Sequence, residues 1–175
     1  PCQFIRSYNP YPDIQPGEIE EAARLINQSR KPFILAGQGV IISHAEKELS
    51  ELAEKADIPV GCTLLGLSAI PTGHPLYKGM LGMHGSIAAN IKTNECDLLI
   101  AIGMRFDDRV TGDLKQYARQ AKVIHIDIDP SEFNKNVKCD VSVLGDARAV
   151  LQKLNEKIAP AEHSEWIAVS YTHLR

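Results

Sequence analysis

Cysteine is scarce, with only Cys2, Cys62, Cys96 and Cys139, and no two stand at a metal-ligand spacing such as C-x-x-C. That excludes a four-cysteine zinc ribbon. Cys62 and Cys96 lie in apolar surroundings, where cysteine packs as a small hydrophobe. Reduced thiols in a cytoplasmic protein are the expectation. No apolar run approaches the roughly 20 residues that span a bilayer, so no membrane partner is expected. The first residues lack the charged-then-apolar layout of a secretory signal. Basic charge is not in excess either: 19 Lys and Arg stand against 22 Asp and Glu. The basic face of a nucleic-acid-binding domain is therefore missing. There is no internal repeat, no low-complexity segment and no nucleophile elbow. No paired acid and base are fixed by spacing.

What remains is an ordinary globular composition, 44% hydrophobic and 23% charged over 175 residues. That length suits one domain with terminal extensions. Residues 1–15, with Pro1, Pro10 and Pro12, read as a linker. The domain is expected over 16–158, and 159–175 shows no pattern and reads as a tail. Pro16 is placed for the first turn of a helix whose apolar positions are Ile19, Ala22, Ala23 and Ile26. Buried strands are expected at Phe33–Ala36, Ile58–Cys62, Leu98–Ile102, Lys122–Asp127 and Val141–Leu144. Helices are expected over 45–55, after Ser86, and after Asp146. Between Thr63 and Gly85 lies a long glycine-rich stretch without periodicity, a pattern that is usually functional. Strands alternating with helices, with no hairpin signals, predict a three-layer, doubly wound α/β fold. Its mostly parallel sheet would have five or six strands, Rossmann-like.

The chain is organised around Asp97–Arg109. Leu98–Ile102 is uninterruptedly apolar, and at Gly103 the character flips to Arg105, Asp107, Asp108 and Arg109. Ligands of such sheets bind beyond the carboxyl ends of strands, and two guanidiniums there suit an anion such as a phosphate. The competing reading is a loop of mutually paired charges. Gly37-Gln38-Gly39 follows a strand as a dinucleotide fingerprint does, but Ile42 replaces its third glycine. No carboxylate ends the second strand, where Cys62 and Thr63 stand, which disfavours an ordinary nicotinamide site. These glycines serve either a phosphate or a tight turn. Leu81-Gly82-Met83-His84-Gly85 opens a helix where backbone amides could meet an anionic or flat ligand. His84 could serve as a general base, but no partner carboxylate is fixed by spacing, and a hydrogen-bonding or stacking group is the favoured reading. Asp127 and Asp129 would accept ribose hydroxyls or cap the turn at Pro130. Only one of them is expected to face the ligand.

The runs Gly79-Met-Leu-Gly-Met-His-Gly85 and Asp97-Leu-Leu-Ile-Ala-Ile-Gly-Met-Arg-Phe-Asp-Asp-Arg109 resemble the middle domain of the acetolactate synthase large subunit. That thiamine diphosphate-dependent family is also called acetohydroxyacid synthase. The likeness extends over Pro16–Ile158 and includes Ile126-Asp-Ile-Asp-Pro130 and Leu144-Gly-Asp146. It implies a domain that holds FAD in an extended pose, as a structural group without net redox chemistry. The flavin site implied comprises Gly37, Gly39, Thr63, Leu64, Leu81, Gly82, Met83 and His84. It continues through Gly103, Arg105, Asp107, Arg109 and Val110 to Asp127, Ile128, Gly145, Asp146 and Ala147 near the adenosine.

The resemblance further implies that the whole enzyme joins pyruvate to a second 2-oxo acid, toward branched-chain amino acids. Thiamine diphosphate, Mg2+ and the catalytic glutamate would belong to flanking domains, so this chain alone would be inactive. A homo-oligomer with a regulatory small subunit is implied for the full-length protein. Two features depart from the family: Glu132 stands where some members carry an amide, and 169–175 does not continue the pattern. The competing readings are another thiamine-dependent carboligase or decarboxylase, and a stand-alone nucleotide-binding module. An NAD-dependent protein deacylase is excluded by its four-cysteine ribbon.

Overall fold

The computed structural model describes residues 12–172. The expected linker over 1–15 lies outside them except for its last four residues. Six strands form one all-parallel sheet: β1 Pro32–Ala36, β2 Val60–Cys62, β3 Tyr77–Met80, β4 Leu98–Ile102, β5 Lys122–Asp127 and β6 Val141–Leu144. Their order is β3-β2-β1-β4-β5-β6, so the direction of winding reverses between β1 and β4. The helices are α1 Pro16–Gln28, α2 Gln38–Ile42, α3 Glu46–Lys55, α4 Ile87–Glu95, α5 Asp108–Thr111, α6 Ala147–Lys157 and α7 Ser164–Thr172. This is the doubly wound α/β architecture that the alternation of elements predicts.

The two central strands are buried on both faces, which is why they read as continuous apolar runs. Ile34, Ala36, Ile100 and Ile102 join the core under α1, α3 and α6. Phe33, Leu35, Leu99 and Ala101 join the opposite core, closed by α4, the segment after β4, and Trp166. Local signals set the ends of elements. Pro16 starts α1, the Ser86 hydroxyl caps α4 by accepting from the Ala89 amide, and the Asp146 carboxylate caps α6.

Two elements depart from the reading of the sequence. β3 lies inside the stretch that shows no periodicity. It is an edge strand with a register shift against β2, and Gly79 within it has φ +101°. A bulged edge strand carries no alternating pattern. The second departure is α7, in the tail expected to have no structure. The chain after α6 is tied down stepwise: the Ala159 amide donates to Asn27 Oδ1 (2.9 Å), and the His163 amide donates to Asp57 Oδ2 (2.7 Å). Trp166 Nε1 then donates to the Pro32 carbonyl (2.8 Å), bringing the indole under α4.

There the Lys92 ammonium, 1% exposed, donates to the Trp166 carbonyl and lies 3.3 Å from its ring centroid. Burial pulls the Lys92 pKa down to about 8, and neighbouring Lys78 adds to the effect. An unfolded lysine titrates near ~10.4, so between these values the folded state sheds a proton that the unfolded state keeps. This contribution to stability therefore rises with pH across that window. Urea unfolding of the wild type and Lys92→Met, compared from pH ~7.5 to ~9.5, is expected to show the difference moving toward the wild type. A difference that stays flat contradicts the buried, partly desolvated ammonium.

Candidate functional site: a cleft at the switch point of the sheet

Where winding reverses, the loops leaving β1 and β4 turn to opposite faces and leave a crevice between them. Here that crevice is a cleft of about 980 Å³. Its floor is made by two interlocked turns. The Gly37 amide donates to Ile102 O and the Gly39 amide to Gly103 O, both at 2.9 Å. A Cβ on Gly37 would stand 2.3 Å from Gly103 O, and one on Gly39 would stand 2.6 Å from Gly103 Cα. The glycines are thus required for backbone to cross backbone. Gly39 and Gly103 also line the cleft, whereas Gly37 is buried beneath them.

Thr63 and Leu64, beyond β2, form one wall. Leu81, Met83 and His84 form another. Gly82 is clamped from behind, its amide donating to Asn90 Oδ1 and its carbonyl accepting from Asn90 Nδ2. The Met83 amide donates to Arg109 O (3.0 Å), stitching this wall to the β4 turn. Gly103 has φ +58° and sends the chain outward through Arg105, Asp107, Arg109 and Val110, all of which line the cleft.

Asp107 has a local task of its own. Its carboxylate caps α5 by accepting from the amides of Arg109 and Val110, and Oδ2 lies 3.6 Å from Arg105 Nε. Part of the paired-charge reading is therefore realised. Arg105 and Arg109 both still line the cleft, and the Arg105 side chain is 71% exposed.

The far end carries carboxylates. Both Asp127 and Asp129 line the cleft, contrary to the expectation that only one would. Residues two apart on extended backbone lie on the same side, and Asp129 is still extended. Asp129 caps the turn at Pro130 by accepting from the Ser131 amide (2.9 Å), and Glu132 pairs with Lys135 (2.8 Å). Burial raises the Asp127 pKa, opposed by the Asp129 amide and by His125. The positive groups thus lie on the β4 turn and the Asp127 carboxylate, which accepts from the Asp129 amide (2.9 Å), at the end of β5.

Four implied residues stand outside the cleft on this side. Ile128 is 48% exposed beside it, and the Gly145 amide donates to Asp127 O (3.0 Å) behind it. Asp146 and Ala147 begin α6, as cap and buried first residue. Residues that line the cleft without being assigned to the site from the sequence include Gln38, Ile42, Leu65 and Met104. Of these, Ile42 and Leu65 are 70% and 63% exposed, joining Leu64 (68%) and Met83 (74%) in an apolar rim. Exposed apolar residues scattered along the chain give no signal until the fold gathers them.

Residues 19–154 match the family model described as "Thiamine pyrophosphate enzyme, central domain". The chain belongs to that family. A probable acetolactate synthase large subunit of Methanocaldococcus jannaschii is 55% identical over 150 residues, 86% of this chain and 25% of that protein. The acetolactate synthase large subunit of Corynebacterium glutamicum is 46% identical over 168 residues, 93% of this chain and 27% of that protein. Isozyme 3 of Escherichia coli K12 is 41% identical over 155 residues, 89% and 27% respectively. The chain spans about a quarter of the length of the curated relatives it matches. As a thiamine pyrophosphate enzyme central domain, it places its cleft where the doubly wound sheet dictates. No helix among the described residues is long and apolar enough to cross a membrane.

Proposed function

We propose that this chain is the FAD-binding central domain of an acetolactate synthase large subunit. The observation that carries the reading is the cleft at the β1–β4 reversal, which joins Gly39, Gly103, Arg105, Arg109 and Asp127 in one space. Guanidiniums are matched to a pyrophosphate and a carboxylate to ribose hydroxyls. The exposed apolar rim suits a flat ring system or a neighbouring domain laid over it. At about 980 Å³ the cleft is at the upper end of the range for cofactor sites. When bound, the flavin would act as a structural group.

In this reading thiamine diphosphate and Mg2+ are held by parts of the enzyme beyond this chain. The whole enzyme condenses pyruvate with a second 2-oxo acid, as a cytoplasmic homo-oligomer with a regulatory small subunit. This chain alone has no such activity. Its part is to bind and orient the dinucleotide: Arg105 and Arg109 hold the phosphates, Asp127 the ribose, and the Met83–His84 wall covers the ligand.

A thermal-shift titration tests the reading. FAD at about 100 times its dissociation constant stabilises the chain by roughly 2.7 kcal/mol, a rise on the order of 5–10 °C. Arg105→Ala removes a charge-assisted donor fork and is expected to weaken binding about 10- to 100-fold. No rise at saturating FAD contradicts the reading, and an unchanged response in the variant removes Arg105 from the ligand.

A further inference from the structure

His125 lies on β5 with none of its side chain exposed, on the same face as Val123 and directly beneath the β4 turn. Its Nε2 is 2.8 Å from the Met104 carbonyl oxygen. A carbonyl only accepts, so Nε2 carries the proton. The ring is held edge-on by Phe106, 5.1 Å between centroids, and Phe133, 5.2 Å. Its Nδ1 is buried and without a partner among the described residues. Nε2 also lies 3.8 Å from Asp127 Oδ2. One imidazole thus touches the turn that presents Arg105 and the carboxylate at the opposite end of the cleft. Burial lowers its pKa, which keeps the ring neutral and the donor in place.

We propose that His125 is a positioning residue of the cleft: its Nε2–H, gripping Met104 O, fixes the turn that aims Arg105 and Arg109 at an anionic dinucleotide. Met104 sits between Gly103, whose φ is positive, and Arg105, whose Nε lies 3.6 Å from Asp107 Oδ2. With the carbonyl released, the turn between Gly103 and the Asp107 cap keeps the Gly103 amide's bond to Ile126 O (2.8 Å) at its start and the Asn136 Nδ2 bond to Phe106 O (2.6 Å) near its end. It loses the anchor between them, next to Arg105. This buried hydrogen bond therefore contributes to how well two exposed arginines are preorganised, which is where affinity is won or lost. The inference rests on the proposed FAD reading for its ligand, but not for its geometry.

The test compares the wild type with His125→Gln, which keeps an N–H donor near the Nε2 position, and His125→Leu, which keeps bulk and loses the donor. FAD binding is followed by flavin fluorescence at a temperature where all three are folded. Binding within about threefold in His125→Gln and at least about tenfold weaker in His125→Leu is expected. Long-range nitrogen NMR of the wild type is expected to show the neutral ring protonated at Nε2. Amide exchange at Asp107 and Thr111 is expected to quicken about tenfold in His125→Leu, while amides of β6 keep their rates. Equal binding by the two variants, or a wild-type ring protonated at Nδ1, overturns the inference. If the wild type does not bind FAD, the cofactor reading fails alone. The NMR and exchange results then decide His125, and uniform acceleration of exchange marks a merely structural role. If neither variant folds, the tautomer decides.

Discussion

Gly103→Ala is expected to lower stability by about 2–5 kcal/mol and to abolish the FAD binding proposed for the cleft. Two costs combine. Gly103 has φ +58°, a left-handed conformation that costs a residue with a side chain about 1–2 kcal/mol. The added methyl would stand 2.6 Å from Gly39 Cα and 3.0 Å from the Val40 nitrogen. Both are backbone, which has no rotamer to change, so relief requires the β1 and β4 turns to part, an overpacking cost of about 1–3 kcal/mol. Parting them breaks the Gly39 amide's bond to Gly103 O and opens the floor of the cleft. Urea unfolding measures the loss. Gly17→Ala, where nothing stands within 4 Å, is the control and is expected to leave the midpoint nearly unchanged. A Gly103→Ala protein as stable as the control would mean that the two turns do not interlock.

The second large effect is expected at Trp166, far from the cleft. Trp166→Ala should cost about 3–5 kcal/mol, as for other buried aromatics. The indole is 5% exposed, closes the core under α4, and donates to the Pro32 carbonyl at the start of β1. Its removal also strips the Lys92 ammonium of the ring beside it. Trp166→Phe keeps most of the packing and loses the N–H, so about 1–2 kcal/mol is expected. Denaturant midpoints order the three proteins as wild type, Phe, Ala. A loss below about 1 kcal/mol in Trp166→Ala would show that α7 is not docked on the domain.

Much of this architecture is legible in the sequence because its signals are strong and local. β1 and β4 are buried on both faces, so their apolar runs are unbroken, and Ser86 and Asp146 announce the helices they cap. The switch-point cleft follows from strand order, and Gly103 with Arg105 and Arg109 marks one of its edges. What is not legible depends on tertiary partners. β3 is a bulged edge strand, and α7 is a short segment whose one strong feature, Trp166, has meaning only beside Lys92 and Pro32. That Asp127 and Asp129 share the cleft is, by contrast, legible, since residues two apart on extended backbone fall on the same side and the expectation of a single one misread that period. His125 reads as one more polar residue in a strand. Its role follows from Met104 lying above it, across the gap between two strands.

Amide hydrogen exchange of the chain with and without saturating FAD tests the central claim most directly. The account predicts that protection gained on binding concentrates in residues 38–40, 103–110 and 127–129, the loops around the β1–β4 reversal. β6 and α7 should be unchanged. Binding that protects a different surface, or no change in those loops at saturation, contradicts it.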